Sequence, residues 1–138
     1  MAAPEDFTKI VMWQKAQHLA AEIAAVVAGL PRNRAAEIIG GQMLRSAGSV
    51  PANIAEGYGR YSQAAYRSHL SIARGSLFET HSWLDLLHRS GFLEDYQKTK
   101  LIEECQSVGK LLTLRMKSLS TGNLSYAREE GELYRVDL

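Results

Sequence analysis

Apolar residues recur along this chain at alternating steps of three and four, in several separate stretches. The last is the most regular: Leu101, Cys105, Val108, Leu112, Met116 and Leu119 fall at i, i+4, i+7, i+11, i+15 and i+18, down one side of an α-helix. A strand would repeat every second residue instead. Leu19, Ile23, Val26, Val27 and Leu30 make a first such face, and Leu70, Ala73, Leu77, Leu84 and Leu87 another, with Thr80 at the vacant step. The pattern predicts an all-α chain.

Punctuation between the stripes sets the expected elements. The first helix should run over residues 8–29, with Thr8 as its cap and Leu30-Pro31 as its end, because proline disfavours helix in the residue before it. A second spans 35–59, with Pro51 inside it predicting a kink and with Gly57 and Gly59 as its stop. A third covers 63–90 behind a Ser62 cap, and a fourth covers 95–119 from Asp95. Short links between four amphipathic helices favour an antiparallel up-down-up-down bundle. Residues 120–138 carry no sustained stripe and are expected to form a polar, disordered tail.

Size and charge bound the function. With 138 residues and 46% hydrophobic content, the chain is one domain with a substantial core. No window offers the roughly 18 to 20 continuous apolar residues of a membrane helix, and the first residues are acidic, unlike a signal peptide, so a cytoplasmic protein is expected. Up to Leu119 there are 14 Lys and Arg against 11 Asp and Glu, a surplus of three; the remainder has two Arg against four acids. This is a mild basic bias.

Little points to catalysis. Cys105 lies on the apolar stripe of the fourth helix, where a core role is the default. His81, Asp85 and His88 share one helical face, but the Glu-x-x-His element of di-iron bundles is missing, so neither a metal nor another cofactor is expected.

Polar residues are more informative. Arg45, Ser49, Asn53 and Glu56 form a line down the second helix, and the third helix carries Arg74 and Glu79. If these helices reverse near Arg60 to Ser62, Arg45 meets Glu79 and Ser49 meets Gly75. An interhelical polar network of Arg45, Ser49, Asn53, Glu56, Arg74 and Glu79 is expected. Tyr58, Arg60, Tyr61, Tyr66 and Arg67 gather around the same reversal, a mixture suited to stacking on bases and touching phosphates, or to an oligomer contact.

Three segments carry a family resemblance. Phe7-Thr8-Lys9-Ile10-Val11-Met12-Trp13-Gln14-Lys15-Ala16, the stretch from Gln42 to Gly57 containing Ser49-Val50-Pro51-Ala52-Asn53-Ile54-Ala55-Glu56, and Leu70-Ser71-Ile72-Ala73-Arg74-Gly75-Ser76-Leu77-Phe78-Glu79 resemble, in order and spacing, the four-helix-bundle proteins encoded by intervening sequences of bacterial 23S rRNA genes. The resemblance implies a barrel-like homo-oligomer, a pentamer. It also implies a relation to the accessory variability determinant of diversity-generating retroelements, which binds a reverse transcriptase and nucleic acid through a basic surface. Ser46 stands where relatives commonly repeat arginine.

The resulting expectation is a non-enzymatic homo-oligomeric adaptor for RNA, DNA or a reverse transcriptase, with Lys9, Lys15, Arg45, Tyr58, Arg60, Tyr61, Arg67 and Arg74 as contact residues. The alternatives are a metal- or small-ligand-binding bundle and a purely structural assembly module.

Overall fold

The computed structural model describes residues 6–120, so the expected tail lies, from residue 121, outside the described residues. Four α-helices follow a short 3-10 turn: α1 Val11–Ala28, α2 Arg34–Tyr58, α3 Gln63–Arg89 and α4 Asp95–Ser120. No strand occurs among the described residues. The chain is all-α.

Each helix packs antiparallel to the one before it. Val27 of α1 and Leu30 just beyond its end lie against Gly40 near the start of α2. Arg45 and Asn53 of α2 reach Glu79 and His69 of α3, and Asp85 and Arg74 of α3 reach Lys98 and Thr113 of α4. Helix α4 returns beside α1, where Lys100 meets Glu22. The α2–α3 seam is the most extensive and the α1–α4 seam the least.

Local chemistry explains most of the boundaries. Asn33 Oδ1 accepts from the Ala36 amide at 3.1 Å and Ser62 Oγ from the Ala65 amide at 3.0 Å, each satisfying an otherwise orphaned donor of a first turn. Thr8 does not cap α1. It sits in the 3-10 turn Phe7–Lys9, where Asp6 is the cap, and α1 begins only at Val11. Helix α3 ends where Gly91 takes φ +85°, a backbone conformation that side chains disfavour.

Helix α2 runs from Arg34 to Tyr58 with Pro51 buried inside it. One expectation for α2 is revised: Gly57 is not a stop, because the helix passes through it and Gly59 caps the end. A Cβ at Gly57 would lie 2.6 Å from the Cβ of His69 and 3.3 Å from the Tyr66 carbonyl oxygen, so the missing side chain lets α2 and α3 close at their shared end.

Most of the stripes bury as their spacing demands, although Val26, Val27 and Leu30 of the first are only half-buried. Met12, Leu19, Ile23, Met43, Val50, Ile54, Leu70, Leu77, Leu84, Leu87 and Leu112 are fully enclosed in one core. Full burial of such side chains contributes about 1.5–3 kcal/mol each, enough to hold the bundle without a disulfide. One position on α4 departs from the stripe: Arg115 is buried at 4% exposure while Met116 is only half-buried. The Arg115 guanidinium lies over the Tyr66 ring, 5.5 Å from its centroid, and donates to Ser118 Oγ at 3.1 Å. A planar, weakly hydrated cation tolerates such a stacked setting better than an ammonium would.

Candidate interaction site

The α2–α3 seam carries a ladder of polar contacts. At its centre Ser46 Oγ and Thr80 Oγ1 lie 2.8 Å apart, and Thr80 Oγ1 donates to the Ser76 carbonyl at 2.9 Å. One turn on, Ser76 Oγ donates to Ser49 Oγ at 3.0 Å, and Asn53 Nδ2 donates to the Ser49 carbonyl at 2.9 Å. His69 Nδ1 lies 3.1 Å from Asn53 Oδ1, and its Nε2 is 3.8 Å from Glu56. A buried polar group without a partner costs about 1–3 kcal/mol, so this ladder also disfavours a shifted register.

Of the expected network, Arg45, Ser49, Asn53, Glu56 and Glu79 lie along this seam. Arg45 and Glu79 approach to 3.9 Å with side chains 71% and 44% exposed, a solvated pair worth about 0–1 kcal/mol rather than a buried one. Arg74 lies elsewhere. Its Nε donates to Thr113 Oγ1 on α4 at 3.1 Å, and its guanidinium covers the Phe78 ring at 4.7 Å. Ser46, His69, Ser76 and Thr80 were not among the expected network, Thr80 having been placed on the apolar stripe, although their small or hydrogen-bonding side chains at helical spacing were the available signal.

The up-down-up-down course returns the start of α1, the α2–α3 turn and the end of α4 to one end of the bundle. Lys9, Arg60, Tyr61, Arg67 and Lys117 therefore share that end, and Tyr61 is fully exposed there. Tyr58 is half-buried and meets Tyr66 edge-on at 5.9 Å. Arg60 is paired with Glu56 at 2.6 Å, and Arg67 donates to Ser120 Oγ at 3.3 Å. Lys15 lies farther up α1 and lines a cavity facing α4.

Along the outer face of the seam, the antiparallel register repeats in steps of seven. From the Arg45–Glu79 pair, seven residues back on α2 and seven forward on α3 lead to Ile38 and Leu86; seven the other way lead to Ala52 and Ile72. Ile38 and Ile72 are 56% and 52% exposed. Between them Gly41, Gly48 and Gly75 have nothing within 4 Å of a would-be Cβ. The face is uncovered, with exposed apolar side chains and bare glycines on either side of the solvated Arg45–Glu79 pair.

A second apolar surface lies between α3 and α4. A groove of about 540 Å³ runs over Leu77, Cys105, Gly109 and Leu114, with Arg74 and Lys110 at its edge. Cys105 is no nucleophile here: burial, then the neighbouring Glu104 charge, pushes its thiol up to about 12. His81 lines the same groove, whereas His88 meets Asp95 at 2.6 Å and Asp85 meets Arg89 and Lys98 at 2.7 and 3.1 Å. The three do not converge on one metal position.

Glu22 and Glu104 face each other across the α1–α4 seam. Burial, and then the Glu22 carboxyl, push Glu104 up to about 7. Glu22 is held below the usual range, first by a hydrogen bond from protonated Glu104 and then by Lys100.

The family model described as 23S rRNA-intervening sequence protein matches residues 8–114. A crystal structure of a protein of unknown function from the S23 ribosomal protein family of Bacteroides thetaiotaomicron superimposes with a TM-score of 0.73 at 29% identity. The match covers 78% of this chain and 99% of that one. No curated protein matches the chain.

Proposed function

The chain belongs to the 23S rRNA-intervening sequence protein family, and on that premise we propose that it is a non-enzymatic homo-oligomeric adaptor for RNA, DNA or an enzyme acting on them, such as a reverse transcriptase. The observation that carries the assembly is the outer α2–α3 face, where Ile38, Ile72 and Leu86 are exposed around side-chain-free glycines. Exposed apolar side chains flanking an ion pair in this way are what a sister copy covers. The pentamer is the state that the resemblance implies.

Assembly also supports the nucleic-acid role. One chain presents few cations at the Tyr61 end, but a closed ring repeats Lys9, Arg60, Arg67 and Lys117 around one rim. Repetition raises affinity by avidity without a strong single contact. Tyr61 supplies an exposed ring on which a base can stack.

Light scattering gives the first test: the wild type should run as an oligomer and Ile72→Glu as a 15.3 kDa monomer that keeps its helical circular dichroism. A monomeric wild type would remove the assembly. Fluorescence anisotropy with labelled RNA and single-stranded DNA gives the second. Binding should weaken steeply with salt and fall for the double variant Arg67→Ala, Lys117→Ala. The engagement of Arg60 with Glu56 and of Arg74 with Thr113 favours a purely structural assembly module instead. An oligomer showing no salt-dependent binding would establish that second reading.

A further inference from the structure

The α1–α4 seam holds a cluster that the proposed adaptor role does not use. His18 and Glu22 stand one turn apart on α1, and Glu104 reaches them from α4. One donor atom from each lies within 4.8 Å of the other two. His18 Nε2 is 3.4 Å from Glu22 Oε1. That oxygen is enclosed and, with both carboxylates ionised, receives no hydrogen bond. Its companion Oε2 takes the Lys100 ammonium at 2.6 Å, and the same ammonium lies 3.9 Å from Glu104. A cavity of about 270 Å³, lined by His18 and Glu104 with Gln14, Lys15, Ser107 and Val108, opens beside the group.

We propose that His18, Glu22 and Glu104 form a site for one divalent transition-metal ion of the zinc class, bridging α1 and α4.

The donor set chooses the class of ion. An imidazole with two carboxylates suits zinc and its first-row neighbours, whereas magnesium and calcium prefer an all-oxygen shell of six or more ligands. Geometry agrees. In a tetrahedral zinc site with bonds of about 2.0–2.2 Å, ligand atoms stand about 3.3–3.5 Å apart. The His18–Glu22 pair already has that separation. Glu104, on a long side chain at the seam, needs to close by about 1.5 Å at most from the 4.8 Å limit.

Three protein ligands leave a fourth position for water or a small anion, and the adjoining cavity has room for it. The enclosed Glu22 oxygen has no donor once Glu104 is ionised, and a bound cation would satisfy it in place of the Glu104 proton. Lys100 supplies a cation only to the far oxygen, from a side chain 61% exposed that can withdraw into solvent when an ion enters. The fold has a use for such a bridge, because α1 and α4 form its least extensive seam.

The test uses the full chain without an affinity tag, stripped with chelator and titrated with zinc chloride by calorimetry. One zinc per chain is expected, together with a rise in melting temperature. Cobalt chloride should give the visible d–d bands of a four-coordinate site, and magnesium chloride should give no heat. Variants His18→Ala and Glu104→Gln should each weaken zinc binding by at least about tenfold. His81→Ala and Glu103→Gln should leave it unchanged. Because the His18 side chain is 70% exposed, His18→Ala keeps the fold, which circular dichroism checks. Absence of zinc binding in the wild type, retention of it in His18→Ala, or its loss in His81→Ala would each overturn the assignment.

Discussion

Gly57 and His69 pack so closely that the glycine cannot carry a side chain: its Cβ would fall 2.6 Å from the Cβ of His69. The obstruction is the base of a side chain, backed by the Tyr66 carbonyl at 3.3 Å, and neither can swing aside. Helix α2 and helix α3 must therefore separate to admit even one methyl group. Gly57→Ala should lose about 1–3 kcal/mol in urea unfolding, through overpacking. Gly41, equally helical but with nothing within 4 Å, is the control: Gly41→Ala should gain about 0.5–1 kcal/mol from helix propensity. Equal effects at the two positions would show that the close approach is not what matters.

The hydroxyls of Ser46 and Thr80 offer a second measurement. Each retains a backbone partner without the other, Met43 O for Ser46 and Ser76 O for Thr80. Removing one should therefore leave no orphan. Thr80→Val and Ser46→Ala are each expected to cost about 0.5–1.5 kcal/mol. A double-mutant cycle in urea should give a coupling of about 0.5–1 kcal/mol. Zero coupling would mean that the 2.8 Å contact contributes nothing.

Glu104 makes a prediction about pH, for protein kept in chelator. Its folded-state pKa of about 7 lies above the ordinary 4.5, so between these values the folded chain holds a proton that the unfolded chain has released. Folding is then favoured at the acidic side of that window and weakened as pH rises through about 7. Glu104→Gln should abolish this slope and melt higher than the wild type at pH 8, by about 1–3 kcal/mol in stability, with the difference shrinking toward pH 5. Glu22, whose pKa is lowered, withdraws its contribution only under more acidic conditions. A wild type whose melting temperature is flat from pH 5 to 8 would contradict the raised value.

The bundle was legible because its information is periodic. Stripes such as Leu70, Ala73, Leu77, Leu84 and Leu87 need no partner to be recognised, and a reversal near Ser62 already implies that Arg45 comes to Glu79. What escaped depends on proximity that periodicity does not encode. Gly57 resembles a helix stop until the backbone of α3 is placed against it. Arg74 shares a helix with Glu79, yet its angular position turns it to α4, which only the third dimension reveals. Arg115 is buried where Met116 continued the stripe, because the Tyr66 ring offers a cation a face on which to lie. Glu104 is separated from His18 and Glu22 by two whole helices, so no local spacing announces the three together.

An even number of antiparallel rods brings the polypeptide back to the side from which it set out. Fusions or purification handles appended before α1 or after α4 would crowd the Tyr61 corner and mask any ligand there. The opposite pole, at the Arg32–Asn33 link, is the place for a fluorophore or surface anchor: a label there watches the corner from a full helix length away without obstructing it.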